Sequence, residues 1–490
     1  MITFNNVSFA YEDAEPSIKD FNLNIARGEV VCLTGASGCG KTTLTRLISG
    51  LIPHFFQGTL RGDVLVETRD VTKTDIYTWS EHIGSVFQNP RAQFFCLNTT
   101  SELAFELENY AVPPDEMERR IEDGLVRYKL EHLMGRDIFE LSGGEKQLIA
   151  CTAVSICEHE VIVLDEPSSN LDFTTLTRLA EMIASWKAEG KTIVIAEHRL
   201  HYLMSLVDRF VIMEQGTIKS TYTQAAFSAL TNADLVREGL RATTLTTLTP
   251  KQHADAVREA TALHLSHFNH QYHKKGPYAL NIRDQRIQQG EVTAIVGHNG
   301  AGKSTFARCL TGLERKFDGK VHWQDKTWSS KDLSQHVYMV FQDVNAQLFT
   351  ESVAEEIRLS QRDITEEGIH DIASSLDIHD TYLERHPLSL SGGEMQRLAI
   401  ASAIAADREI LIFDEPTSGL DGAHMREVAQ LLSQLSQQGH TILVISHDYE
   451  LVLACADNIL HLEHGEVEAY YRLHEETLPE LQTFFNLPTT

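Results

Sequence analysis

The chain has 490 residues, 42% of them hydrophobic and 23% charged, a balance that excludes disordered and collagen-like polymers and leaves material for two or three packed domains. Its formal net charge of −27 opposes nucleic acid and anionic lipid, and no run of Lys and Arg supplies a local basic patch. Seven scattered cysteines with no CxxC spacing argue against a disulfide framework and a thiolate zinc site, and point to a reducing cytosol.

Taken in order, MITFNNVSFAYE has no basic segment followed by an apolar one, and no apolar run anywhere reaches the ~18 residues of a membrane helix. A membrane role is therefore expected from outside the bilayer. Glu29 to Leu51 reads strand, glycine loop, helix. Val71 to Glu81 reads as loop or edge structure, and Asn98 to Leu130 as a small helical subdomain set between Gln88 and Leu141. LSGGEKQ (Leu141 to Gln147) precedes an apolar helix, and VIVLDEP (Val161 to Pro167) ends a buried strand. An apolar stripe at Leu176, Leu179 and Ile183 predicts a helix stopped by Gly190, followed by the strand TIVIA and by His198.

The join falls near Arg241 to Ala262, a short stretch rich in Thr and polar residues. Beyond it the whole order repeats. Gly297 lies 262 residues after Gly35, Gln342 254 after Gln88 and Leu390 249 after Leu141, and the last spacing holds for Asp165 to Asp414, Asp172 to Asp421, His198 to His447 and Gly216 to Gly465. Small net deletions of this kind belong in surface loops. The second helix stripe is Met425, Val428 and Leu432, ended by Gly439, and Thr327 to Gln335 matches the first copy's loop or edge segment. Continuously apolar strands alternating with helices predict a mostly parallel sheet covered on both faces.

GASGCGKT (Gly35 to Thr42) and GHNGAGKS (Gly297 to Ser304) fit G-x4-G-K-S/T between a strand and a helix. The backbone there can curl so that N–H groups face a β-phosphate, with the lysine on the β/γ oxygens and the hydroxyl on Mg2+. The phosphate-contact candidates are Gly35, Ser37, Gly38, Gly40, Lys41, Thr42 and Thr43, and in the second copy Gly297, Asn299, Gly300, Gly302, Lys303, Ser304 and Thr305. Asp165 and Asp414 would hold Mg2+, while Glu166 and Glu415 would orient the attacking water. Ser142 with Gly144, and Ser391 with Gly393, could simply cap a helix or could form a second anion clamp at its N-terminus.

These segments resemble the nucleotide-binding domains of ATP-binding cassette (ABC) proteins over nearly the whole chain, with Walker A, Q-loop, signature, Walker B, D-loop and H-switch each present twice. The resemblance implies an α/β chain of two ABC-type P-loop domains in tandem, residues 1–245 and 263–490 around a linker at 246–262. Each would have a mainly parallel sheet core, an antiparallel β edge and a helical subdomain. It implies an ATPase using ATP and Mg2+, with Gln88 and Gln342 on Mg2+ or water and catalytic Glu166, His198, Glu415 and His447. SSNLD ending at Asp172 and TSGLD ending at Asp421 would be D-loops. Tyr11 and Tyr272, 24 and 25 residues before their Walker glycines, would stack on adenine, with core filling as the competing reading and Tyr278 close by. The family's pairing would place Lys41, Thr42, Gln88, Asp165, Glu166 and His198 with Ser391 and Gly393 around one ATP. Lys303, Ser304, Gln342, Asp414, Glu415 and His447 with Ser142 and Gly144 would surround the other.

FQNPRAQFF and FQDVNAQLF, in which Gln93 and Gln347 follow the Q-loop glutamines by five residues, resemble energy-coupling factor (ECF) importer ATPases, as does GLIPHFFQG. That resemblance implies a scaffold transmembrane subunit, a small substrate-binding membrane subunit, uptake of a vitamin, vitamin precursor or metal ion, and a peripheral place on the cytoplasmic face of the cell membrane. A tandem sugar-importer ATPase and a soluble ribosome-acting tandem protein are the alternatives. The first usually has one altered site, and the second a long charged linker. His264, His267, His270 and His273 suggest a metal site, but spacing by three puts neighbours on alternate faces of a strand, which favours structural roles. Cys39 inside the first Walker loop reads as filler.

Overall fold

A computed structural model of the chain describes residues 1–12, 15–169, 171–252, 262–273, 276–361 and 363–488. Two compact units result: Met1–Thr244 with Asp421–Ala423, and Leu245–Leu420 with His424–Thr490. Residues 253–261, most of the expected linker, lie outside the described residues.

Both units are α/β, as the sequence predicts. In the first, strands Thr217–Thr223, Arg209–Glu214, Val30–Gly35, Thr192–Ala196, Val161–Asp165 and Ile83–Val86 stand side by side in that order, parallel except for the outermost pair at the Thr217 end. Every residue of Val30–Gly35 and Thr192–Ala196 is buried, which is why these strands read as unbroken apolar runs. A four-stranded antiparallel sheet, ordered Ile18–Ile25, Ile2–Tyr11, Gly58–Val66 and Arg69–Asp70, forms the β edge. It buries Ile18, Phe21, Leu23 and Ile25 from one strand while the residues between them face out. The helical subdomain comprises Thr99–Asn109, capped by Asn98, and Pro114–Arg127; Leu103, Leu107, Ile121 and Leu125 share one core with Leu148 of helix Gly143–Ile156.

The second unit repeats this order with Val337–Val340, Ile410–Asp414, Thr441–Ile445, Val292–Val296, Asn458–Glu463 and Glu466–Arg472, and with an antiparallel sheet of Leu280–Gln288, Ala262–His270, Phe317–Trp323 and Lys326–Trp328. The segments read as loop or edge each carry a short helix. Ile76–Ser80 is capped by Asp75 and anchored by buried Trp79, whose indole N–H donates to Ile48 O at 2.8 Å. Ser330–His336 starts at a Ser329/Asp332 capping box. That box was a usable signal; the helices are too short for periodicity to reveal. No helix among the described residues is long and apolar enough to cross a membrane.

Candidate functional site

Both Walker loops close around their own lysine. Lys41 Nζ donates to Gly35 O and Ala36 O at 3.2 and 3.0 Å, and Lys303 Nζ to Gly297 O and His298 O at 2.7 and 3.0 Å. Both lysines are buried. Gly38, Gly40, Gly300 and Gly302 all have left-handed φ, between 76° and 105°, which turns successive N–H groups toward the loop's interior. At Gly40 a Cβ would also lie 2.7 Å from Ser17 O, so the backbone of the antiparallel sheet passes too close for any side chain.

The helices that follow carry a hydroxyl to the Walker B carboxylate. Thr42 Oγ1 reaches Asp165 Oδ1 at 3.2 Å, and Ser304 Oγ reaches Asp414 Oδ2 at 3.3 Å. Two cis oxygens on an octahedral Mg2+ with bonds of ~2.1 Å stand ~3 Å apart, so this hard-oxygen pair fits that ion in both units. Burial pushes the Asp165 carboxyl up to about 6, with Glu166 adding to it and Thr42 opposing. Burial likewise pushes Asp414 up to about 6, against the Ser304 hydroxyl and Lys303. A divalent cation reverses that balance by favouring the carboxylate.

Glu166 and Glu415 sit just past the strand ends with φ of 44° and 50°, a left-handed backbone that non-glycine residues seldom adopt. Each is pinned by its own N–H, to Ala196 O at 2.8 Å and Ile445 O at 2.9 Å. Glu166 Oε2 accepts from Gln88 Nε2 at 2.7 Å, and Oε1 lies 3.3 Å from His198 Nε2. Burial would raise the Glu166 pKa, but His198 and Lys41 outweigh it and hold the carboxyl below its ordinary range. In the second unit Glu415 lies 3.7 Å from His447 Nε2 and accepts from the His447 backbone N–H. The units differ one residue before the histidine. Buried Glu197 binds His198 N, Arg199 N and the Tyr202 hydroxyl, where the second unit has Ser446. Motif reading passed over Glu197 because no spacing marks it.

Tyr11 and Tyr272 bond the matching loop hydroxyls, Thr43 Oγ1 at 3.4 Å and Thr305 Oγ1 at 2.9 Å. This shared contact makes Tyr272, rather than Tyr278, the counterpart of Tyr11. Tyr11 also receives Arg46 Nη1 at 2.9 Å and packs edge-on against Phe9 and Phe56. Ser142 and Ser391 cap helices Gly143–Ile156 and Gly392–Ala406 through complete capping boxes with Glu145 and Glu394. Gly144 is tight, since a Cβ would lie 2.9 Å from Thr175 Oγ1, whereas Gly393 has room.

The second Q-loop glutamine is a staple. Gln93 accepts from Phe87 N at 3.1 Å and donates to Ser85 O at 3.0 Å, and Gln347 does the same with Phe341 N and Met339 O at 3.1 Å each. Buried Glu102 and Glu356 then take the N–H groups of Phe95 and Cys96, and of Phe349 and Thr350. Phe95 and Phe349 are held on these rigid turns 76% and 73% exposed. The histidine row does not keep the strict alternation its spacing suggests, because exposed His267 occupies a bulge: half-buried His264 pairs with Asp284 on one side of it, and buried His270 bonds Lys316 O on the other.

One contact has no counterpart in the first unit. His298 in the second Walker loop pairs with Glu463 at 2.7 Å and lies under Phe484, at 5.3 Å, from helix Leu478–Phe484; the first loop has Ala36 there. Phe484→Ala in a Lys41→Ala background is expected to weaken ATP binding at the second loop about threefold to tenfold. Fluorescent-nucleotide titration checks this, and unchanged affinity would show the prop to be idle.

A family model described as ABC transporter matches residues 18–169 and 280–418. A Treponema denticola protein named "Putative ABC transporter ATP-binding protein" is 40% identical over 99% of this chain and all of its own length, and a second of the same name and organism is 35% identical over 97% of each. A chain in the structure titled "Model of ribosome-bound archaeal Pelota and ABCE1" matches 97% of this chain and 80% of its own length, at 23% identity and TM-score 0.71, a likeness of fold.

Proposed function

The chain belongs to the ABC transporter family and is an ATPase; on that premise we propose that it drives an importer of the ECF type from the cytoplasmic face of the cell membrane. Its partners in this reading are a scaffold transmembrane subunit and a small membrane subunit that captures a vitamin, a vitamin precursor or a metal ion. The observation that carries it is the pair of exposed phenylalanines, Phe95 and Phe349, at matching places in both units. Large aromatic rings fixed in water on rigid turns suit a docking surface. In the first unit Phe139 and Leu97 widen the apolar area, because the Ile138 N–H donates to Leu97 O at 2.9 Å.

The same turns begin at the Q-loop. Gln88 touches Glu166 directly, so a push on the turn is delivered to the carboxylate that would orient water. Thr42 with Asp165, and Ser304 with Asp414, would hold Mg2+, which would supply positive charge against the charge developing on the phosphates of ATP. Lys41 and Lys303 would hold those phosphates, and His198 and His447 would steady the glutamates. The reading keeps the family's pairing, with Ser391 and Gly393 completing the first site and Ser142 and Gly144 the second.

The test is copurification from native membranes. Wild type is expected to bring down small hydrophobic proteins that Phe95→Asp with Phe349→Asp loses, while the variant's ATP turnover in isolation stays within about twofold. Retention of the same proteins by the double variant, or cosedimentation with ribosomes in place of membrane proteins, would overturn the importer reading.

A further inference from the structure

On the side of the first unit away from the Walker loop, three unlike side chains meet: Glu106 near the end of helix Thr99–Asn109, Cys157 at the C-cap of helix Gly143–Ile156, and His159 just ahead of the Walker B strand. One carboxylate oxygen, the sulfur and one ring nitrogen all lie within 4.8 Å of one another. His159 is buried, its ring so close to strand Ile83–Val86 that a Cβ on Gly84 would stand 2.5 Å from it.

The two ring nitrogens face different acceptors. His159 Nδ1 faces Glu81 O at 3.4 Å; a carbonyl can only accept, so this contact is a hydrogen bond in the tautomer with the proton on Nδ1. Nε2 then faces Glu106 Oε1 at 3.0 Å, out of hydrogen-bonding line. In that tautomer a lone pair and a carboxylate stand this close, and they repel unless a cation stands between them. That cation is either a second proton on the ring or a metal ion.

We propose that Glu106, Cys157 and His159 form a Zn2+ site, with solvent in the fourth position. Thiolate, imidazole and carboxylate are the donors this ion takes, and around a tetrahedral centre they stand about 3.3–3.7 Å apart, reached from the present arrangement by small side-chain shifts in which the His159–Glu106 pair opens from 3.0 Å. The Nδ1–H to a backbone carbonyl is the outer contact that ligating histidines usually carry. Binding converts the thiol to Zn2+-bound thiolate and releases its proton to water past Glu106, whose side chain is 30% exposed. The ion would tie the helix following the Q-loop to the strand that carries Asp165. Matching positions in the second unit are Ser360, Ala406 and Arg408, so the site belongs to one copy alone.

The metal-free full chain, without nucleotide, is titrated with Co2+ and then Zn2+. Wild type is expected to take one Co2+ with tetrahedral visible bands and a thiolate-to-cobalt charge-transfer band, displaced by one Zn2+. Cys157→Ser should abolish the charge-transfer band and weaken Zn2+ at least tenfold, Glu106→Gln should weaken Zn2+ about tenfold, and Cys96→Ser should change neither. Absence of the band in wild type, or its survival in Cys157→Ser with circular dichroism unchanged, would show that a proton fills the role and overturn the proposal.

Discussion

Changing Glu166 and Glu415 to glutamine in one chain is expected to lower ATP turnover a hundredfold or more, with each single change lowering it severalfold. Glutamine keeps the side chain's volume and removes its capacity to take a proton, and a positioned base typically contributes 10²–10⁴ in rate. The two glutamates share a left-handed backbone, a pinned N–H and a neighbouring switch histidine, so neither copy shows a missing part. Their surroundings still differ: Ser446 Oγ donates to Glu415 Oε2 at 3.4 Å, where the first unit has Glu197, which binds His198 N, Arg199 N and the Tyr202 hydroxyl. The single variants should therefore be unequal. Phosphate release at saturating Mg-ATP measures this; wild-type turnover in one single variant would remove that site from the reaction.

A second large effect is expected at the start of the first Walker loop. Gly35 has φ 137°, and a Cβ there would lie 2.2 Å from Met213 O. Gly35→Ala should cost about 3 kcal/mol or more, which for a unit of this size lowers the thermal midpoint by about 6–12 °C. Gly38 supplies the contrast: its φ is 76° but a Cβ meets nothing within 4 Å, so Gly38→Ala should cost only the left-handed penalty of about 1–2 kcal/mol. Scanning calorimetry separates the two. Equal midpoints would mean that the strand beside Gly35 gives way.

Much of this molecule was legible because its function is written in short, rigid motifs. The spacing of glycine, lysine and hydroxyl fixes a loop of a few residues, and the Asp-Glu pair ends a strand whose apolar run admits little else. Legibility failed where partners are remote in sequence or where elements are short. Phe484 lies 186 residues beyond the His298 it covers, and no pattern connects them. Ile76–Ser80 is a single turn and a half, below the length at which a stripe can show. Gln93 and Gln347 were visible as a family mark, but their role as staples emerged only from the backbone groups they hold. Counting CxxC spacings set aside zinc held by several thiolates, and could say nothing of one thiolate joined by a histidine two residues on and a glutamate from an earlier helix.

The two lysines that bond their own loops bear on how the chain behaves when nucleotide is scarce. A cation already satisfied by two carbonyls does not rely on a visitor to keep its surroundings folded, so these turns should resist proteases and amide exchange while they wait. Capture of a triphosphate is then an exchange of partners, and the enthalpy released on mixing should be smaller than the new contacts alone would suggest.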